Sequence, residues 1–269
     1  MIRSFEDIRI TPLSSCFICS LETKMSGITG ANGSEIPYII KPVIVSNPTR
    51  YLVALTFDDG PHSEHTKTIL DVLNENDSHG TFFVVGKNIE GNEELIGNAL
   101  DRGHEFYSHS WDHPLRYDWV MEPTYFYYVD QVVRPHEAIK NIRREPIKMF
   151  RAPGGTVPKI LTWVFMEFGF AEIHWSIDPK DWERTKNTQD IINATLYGRR
   201  GKPRTFFGEI VLFHDIYKKT ADAMKTVIPH LRSEGYELVT VSQLARRMGY
   251  GIEAGARYKK FIPPRNAPR

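Results

Sequence analysis

The chain has 269 residues, 41% of them hydrophobic and 25% charged, with a formal net charge of +1. That length suffices for one large domain with a sizeable core, and the near-neutral balance excludes a generic nucleic-acid or polyanion binder. No apolar run approaches the ~20 residues of a membrane-spanning helix.

Its two cysteines, Cys16 and Cys19, are too few for a disulfide framework and lack a second Cys or His pair to complete a zinc ribbon. Leu13-Ser14-Ser15-Cys16 has the small residues of a lipoprotein cleavage site. Arg3, Glu6, Asp7 and Arg9 stand where an apolar signal core belongs, so no export signal is expected. Compartment stays open. Residues 1–46 show no clear period and read as a partly ordered leader, with short strands expected at 38–40 and 43–45.

From residue 51 a rhythm sets in. Tyr51-Leu52-Val53-Ala54-Leu55-Thr56-Phe57 is apolar, β-branched and aromatic, and reads as a buried strand ended by Asp58, Asp59, Gly60 and Pro61. Helical spacing at 66–75 leads to a strand at 81–85, and a helix at 92–102 leads to an extended stretch at 103–107. A longer connection with a helix at 128–143 reaches a strand at 147–150. Then follow a helix at 158–168, extended chain at 171–177, and a helix at 188–197 with Thr188 as its cap. A strand at 209–213, a helix at 221–233, a strand at 236–241 and a helix at 242–248 complete the series. About seven βα units around a parallel sheet suit an incomplete or distorted (β/α)7-type barrel, ahead of an open doubly wound sheet. The catalytic domain is thus expected to span 47–250. Residues 251–269 read as a basic, Pro-rich tail, and Gly198 to Arg204 as a solvated basic loop.

In parallel α/β folds, functional residues gather where strands end. The first strand ends on Asp58 and Asp59, and the third leads into Ser108-His109-Ser110-Trp111-Asp112-His113. Arg151-Ala152-Pro153-Gly154-Gly155 follows the fourth, Asp178-Pro179-Lys180-Asp181-Trp182 the fifth and His214-Asp215 the sixth. His109 and His113, four apart, would share one side of a helical turn. With one carboxylate they make a three-ligand set that leaves positions open for water and substrate. Zinc suits this nitrogen and oxygen mixture, and other divalent transition metals such as cobalt could occupy it.

Five motifs in order, Thr56-Phe57-Asp58-Asp59-Gly60, His109-Ser110-Trp111-Asp112-His113, Arg151-Ala152-Pro153-Gly154-Gly155, Asp178-Pro179-Lys180-Asp181-Trp182 and Leu212-Phe213-His214, resemble those of the polysaccharide deacetylases. These form carbohydrate esterase family four, the NodB-homology domain. The resemblance implies a distorted barrel and a metal bound by Asp59, His109 and His113. It implies Asp58 as catalytic base beside Arg151, and His214 as catalytic acid partnered by Asp181. It also implies oxyanion stabilisation by the metal and the Gly154 N–H, and a substrate wall formed by Trp182 and Leu212. Gly154 departs from the family, which often has an aromatic residue there; the backbone N–H survives the change but part of a groove wall is lost.

Amide hydrolysis needs these parts because water is a poor nucleophile and an amine anion a poor leaving group. A site of this type lowers the pKa of a zinc-held water to about 7, and a positioned acid protonates the departing nitrogen. The function implied is removal of N-acetyl groups from a GlcNAc-containing glycan. O-deacetylation of acetylxylan or another glycan is the alternative within enzymes, and an idle carbohydrate-binding relative the alternative outside them. No protein partner is indicated. Asp178, Asp112 and Asp215 receive no role.

Overall fold

A computed structural model describes residues 51–114, 124–142, 148–198 and 201–262, all within the unit Asn47–Arg269. The strands expected at 38–40 and 43–45, both cysteines, Arg199 and Arg200 and the prolines after residue 262 lie outside the described residues.

Strand and helix alternate as the sequence rhythm requires. The first half runs β1 (Leu52–Asp58), α1 (His65–Glu75), β2 (Thr81–Val84), α2 (Glu93–Asp101), β3 (Glu105–Ser108), α3 (Tyr125–Ile142), β4 (Met149–Phe150) and α4 (Lys159–Phe168). The second half runs β5 (Ala171–Ile173), α5 (Thr188–Leu196), β6 (Glu209–His214), α6 (Lys218–Ser233), β7 (Glu237–Leu238), α7 (Val241–Arg247) and β8 (Arg257–Tyr258). The strands lie in the order β6-β1-β2-β3-β4-β5-β8, with β7 also on β1, and these pairings are parallel. Isolated bridges from Ile177 to Val211 and from Lys260 to Glu209 join the two edges. A sheet curled on itself but closed only by such bridges is a distorted barrel, as its sequence implies.

Alternation along β1 separates two cores. Val53, Leu55 and Phe57 face the helices α1, α2, α5 and α6, whereas Leu52 and Ala54 face inward with Phe83, Tyr107, Met149, Ile173 and Ile210. On the helix side Phe213, Phe57, Phe82 and Phe106 form a stack across four strands, with centroids 5.7, 4.9 and 4.9 Å apart. The same residues are register partners, so this stack sets where strands stop relative to one another. A one-residue slip would turn each Phe to the wrong face. Inside, α7 contributes Val241, Leu244 and Ala245 to the apolar filling, joined by Met248 just after it.

Two expectations change. The region after residue 250 is not a free tail: Arg257 and Tyr258 pair with β5 as β8, and Phe261 is fully buried in the inner core. Its basic, Pro-rich composition hid a two-residue strand too short for any period to show. The cap of α5 is Asn187, not Thr188; its side chain accepts from the Asp190 N–H, and Asp190 accepts from the Asn187 N–H in return.

One buried histidine bears on stability. His104 Nδ1 accepts the Gly80 N–H at 3.1 Å, and Nε2 lies 3.1 Å from Asn74 Oδ1, which fixes a neutral tautomer. Burial pushes its pKa down to about 4, helped by nearby His79 and Arg102. The folded state therefore binds fewer protons than the unfolded state as pH falls from 6.5 towards 4, and stability is lost across that window. We expect His104→Ala to cost ~1–3 kcal/mol at neutral pH by stranding the Gly80 amide. In denaturant titrations the gap to wild type should narrow as pH falls towards 4; a constant gap would mean that His104 is not held neutral.

Candidate active site

Asp58 continues the inward face of Leu52, Ala54 and Thr56, and so enters the barrel interior at the carboxyl end of β1. It is 2% exposed. Arg151, on the inward face after Met149, meets it: Nη1 donates to Asp58 Oδ1 at 2.7 Å and to Thr56 Oγ1 at 2.8 Å. Its Nε donates to the Ile173 carbonyl and Nη2 to that of His174, while the guanidinium plane lies 4.2 Å over the Phe83 ring. A fully buried cation with every side occupied leaves its neighbour Asp58 no rotational freedom.

Asp59 leaves the strand in a left-handed conformation, φ 77°. Simple alternation would point it away from Asp58, but this twist brings both carboxylates to one imidazole: His109 Nε2 lies 3.4 Å from Asp59 and 3.7 Å from Asp58. His113 Nε2 is 3.2 Å from the same Asp59 oxygen. The two histidines do not share a helical turn. They follow β3 in a loop whose Ser110 and His113 are left-handed, φ 67° and 58°, and the His113 N–H donates to Ser110 Oγ. The four-residue spacing was right for proximity and wrong about its cause.

These three side chains fit a divalent cation. His109 Nδ1 is 2.7 Å from the Arg151 carbonyl, which can only accept, so Nδ1 carries the proton and Nε2 presents a lone pair. Asp59 Oδ1 is buried without a hydrogen-bond partner. Tetrahedral donors at zinc bond lengths sit about 3.3 Å apart, and those between Asp59 and the two imidazoles measure 3.4 and 3.2 Å. Burial alone would raise the Asp59 pKa; His109 and His113 outweigh it and hold the carboxyl well below its usual range. Burial lowers the His113 pKa and Asp59 raises it, with the carboxylate prevailing. The pocket thus attracts positive charge from protons or from a metal alike.

On the neighbouring strand, His214 is the register partner of Asp58. Its Nδ1 is 2.8 Å from Asp181 Oδ1, and its N–H donates to Asp181 Oδ2 at 2.7 Å. Thr220 Oγ1 donates to that second oxygen, so the fully buried Asp181 is spanned from both sides. Burial opposes the charged imidazole, but Asp181 and the more distant Asp58 and Asp59 push its pKa up to about 9. Leu212 shares the inward face of His214 and is 3% exposed, whereas Trp182 is 46% exposed at the rim. Gly154 is left-handed, φ 60°, and a Cβ placed there would meet nothing within 4 Å, so the groove is open at that point. All ten expected site residues therefore lie at the carboxyl ends of the sheet or on the turns that follow it.

Three further residues support the site, and none of them has a role assigned from the sequence. Buried Gln131, on α3, accepts the N–H groups of Trp111 and Asp112 and so shapes the histidine loop. Asp215, fully buried, accepts the Gly60 N–H at 3.0 Å and the Thr66 hydroxyl, while its own N–H donates to the Asp58 carbonyl. A Cβ on Gly60 would lie 2.1 Å from Asp215 Oδ2, which explains the glycine after the acid pair. Asp178 Oδ1 accepts the Lys180 N–H and orders the turn leading to Asp181.

The sequence and the fold are similar to those of known proteins. The polysaccharide deacetylase family model matches residues 46–173. A peptidoglycan-N-acetylglucosamine deacetylase, PgdA of Listeria monocytogenes, is 33% identical over 240 residues, covering 88% of this chain and 48% of that protein. A chitooligosaccharide deacetylase of Bradyrhizobium is 32% identical over 208 residues, covering 71% of this chain and 90% of its own length. The solved structure of the peptidoglycan deacetylase PdaC from Bacillus subtilis superposes with a TM-score of 0.65 at 32% identity, covering 74% of this chain and 92% of that one. The chain belongs to the polysaccharide deacetylase family. It spans about half the length of the Listeria relative.

Metal binding and proton chemistry should separate by mutation. His113→Ala should abolish binding of zinc or cobalt, whereas Asp58→Asn should retain about one ion per chain. Gln131→Leu should weaken affinity by ~10–100-fold through its loop, the usual effect of groups behind a ligand. Chelator competition measures all three. Loss of the ion in Asp58→Asn with retention in Asp59→Asn would reverse the two aspartates.

Proposed function

We propose that the chain removes N-acetyl groups from a GlcNAc-containing glycan, with a divalent cation, zinc or cobalt, held by Asp59, His109 and His113. The observation that carries this reading is the pairing, across one strand register, of an arginine-held carboxylate, Asp58, with an imidazole kept protonated by Asp181. Relatives named as peptidoglycan and chitooligosaccharide deacetylases support the substrate class.

When bound, the cation supplies Lewis acidity towards the acetyl oxygen and the attacking water. Asp58, held by Arg151, accepts the proton that water gives up as it attacks. The Gly154 N–H faces the oxygen on which charge develops. His214 then donates a proton to the departing sugar nitrogen, without which an amide does not leave. Leu212 and Trp182 line the acetyl and sugar sides of the groove, the first buried and the second half exposed, as their positions suit.

The imidazolium is needed more for amides than for activated esters, because an aryl oxide leaves unaided. His214→Ala should therefore lose ~10²–10⁴-fold in kcat/KM on a chitooligosaccharide and far less on an aryl acetate. In the wild type, activity should fall as pH rises through the raised pKa of His214, since the acid form is then lost. A cation beside Asp59 offsets that carboxylate's share of the shift, while the share of Asp181 persists. Asp181→Asn should accordingly move the basic limb to lower pH. Equal losses on both substrates in His214→Ala would show that this histidine is not the acid.

A further inference from the structure

The turn Pro153–Gly155 presents the Gly154 N–H, yet it is built from the two residues with the greatest backbone freedom. Gly154 and Gly155 have φ of 60° and 68°. A Cβ on Gly155 would strike His174 at 2.7 Å and Trp175 at 2.9 Å, so that glycine is required by close packing. Within the turn, the Gly155 N–H donates to the Ala152 carbonyl at 2.9 Å, and the Thr156 N–H to that of Pro153 at 3.5 Å. The first bond pins the Gly154–Gly155 peptide; the Pro153–Gly154 peptide, which carries the Gly154 N–H, is tied more loosely, through the Thr156 N–H of the Gly155–Thr156 peptide. Its geometry has to be set from outside the turn.

The external contact comes from β8. Arg257 Nη2 donates to the Gly155 carbonyl at 3.2 Å and lies 2.9 Å from His174 Nδ1. Its Nε is 2.8 Å from Glu172 Oε2, an ion pair that lacks hydrogen-bond alignment. Glu172 is 2% exposed and is also the register partner of Arg257. A carboxylate buried on this face needs a cation, and the guanidinium that neutralises it is a rigid fork whose other nitrogens are thereby aimed. On the far side of the same loop, Arg151 is fixed by the carbonyls of Ile173 and His174. The β5–β8 edge therefore grips the segment from Arg151 to Gly155 at both ends.

We propose that Arg257 is a positioning residue of the active site, which sets the direction of the Gly154 N–H by holding the Gly155 carbonyl. This rests on the role given to that N–H above. It also places a functional residue in the region that composition marks as a tail. Because Gly154 has no side chain to stiffen the turn, the dependence on Arg257 is a property of this chain's own Gly-Gly pair.

The test uses the whole 269-residue chain labelled with ¹⁵N-glycine, with and without zinc. Arg257→Ala should accelerate hydrogen exchange and broaden the Gly154 and Gly155 amide signals. It should lower kcat on a chitooligosaccharide by ~10–100-fold, the scale of a misdirected catalytic group, with KM within about twofold. Arg257→Lys, which keeps a cation able to reach the carbonyl, should recover part of the loss. Arg257→Ala leaves buried Glu172 with only the His174 imidazole, 3.6 Å away, beside it, so the double variant Arg257→Ala/Glu172→Gln removes that charge; it should fold and still show the loose turn and low kcat. Unchanged Gly154 signals in both variants would overturn the proposal. Loosened signals with an undiminished kcat would overturn its catalytic half together with the oxyanion role of Gly154, while leaving the metal and proton assignments to their own tests.

Discussion

The bond from Arg151 to Asp58 is the constraint on which this molecule turns. Neither side chain has appreciable access to solvent, so neither charge could be tolerated alone, and breaking such a pair typically costs ~3–5 kcal/mol. The same guanidinium reaches β1 through Thr56 and the end of β5 through two carbonyls. It thus ties three strands together at one end of the barrel while fixing the position of the Asp58 carboxylate. Fold stability and the poise of the proposed base are therefore one interaction, and the site cannot loosen without the sheet end loosening too.

Around that pair the charges are arranged in opposition. Asp58, Asp59 and Asp181 bring three carboxyl groups to a small volume. They are answered by Arg151, by two imidazoles with room for a cation, and by His214. Asp215 is the fourth acid of the cluster, and it is answered differently. Burial, augmented by Asp59 and Asp58, pushes its pKa up to about 7 against the hydrogen bond from Thr66. Its neighbours are an amide and a hydroxyl, not a cation, so it serves as a polar tie between the ends of β1 and β6. One of the four acids thus has a structural part, and nothing in its sequence neighbourhood distinguishes it from the others.

That difference marks what can be read from a sequence here. Asp58, Asp59, His109, His113, Arg151, Asp181 and His214 were legible because each sits where an apolar run stops, and strand ends are where a parallel sheet exposes chemistry. The barrel was legible from the strand–helix rhythm. What brings His109 and His113 together was not, because the left-handed Ser110 and His113 are imposed by tertiary contacts and not by residue type. Gln131 lies mid-helix and looks like any solvated amide until the loop it supports is folded against it. Arg257 lies in a two-residue strand below the length at which periodicity can register. In each case the missing information is a contact between distant parts of the chain.

The distances along the chain have a consequence for biogenesis. Asp59, His109 and His113 are all present once the first 113 residues exist, whereas Asp215 meets Gly60 across 155 positions and Arg257 meets Gly155 across 102. Contacts of that range form late in folding, since the loop they close must first be ordered. On a ribosome that adds about 5–20 residues per second, β6 and β8 emerge many seconds after the donor set. The donor residues are therefore synthesised many seconds before the contacts that order the strand ends around them, including the tie from Asp215 to Gly60 and that from Arg257 to Gly155.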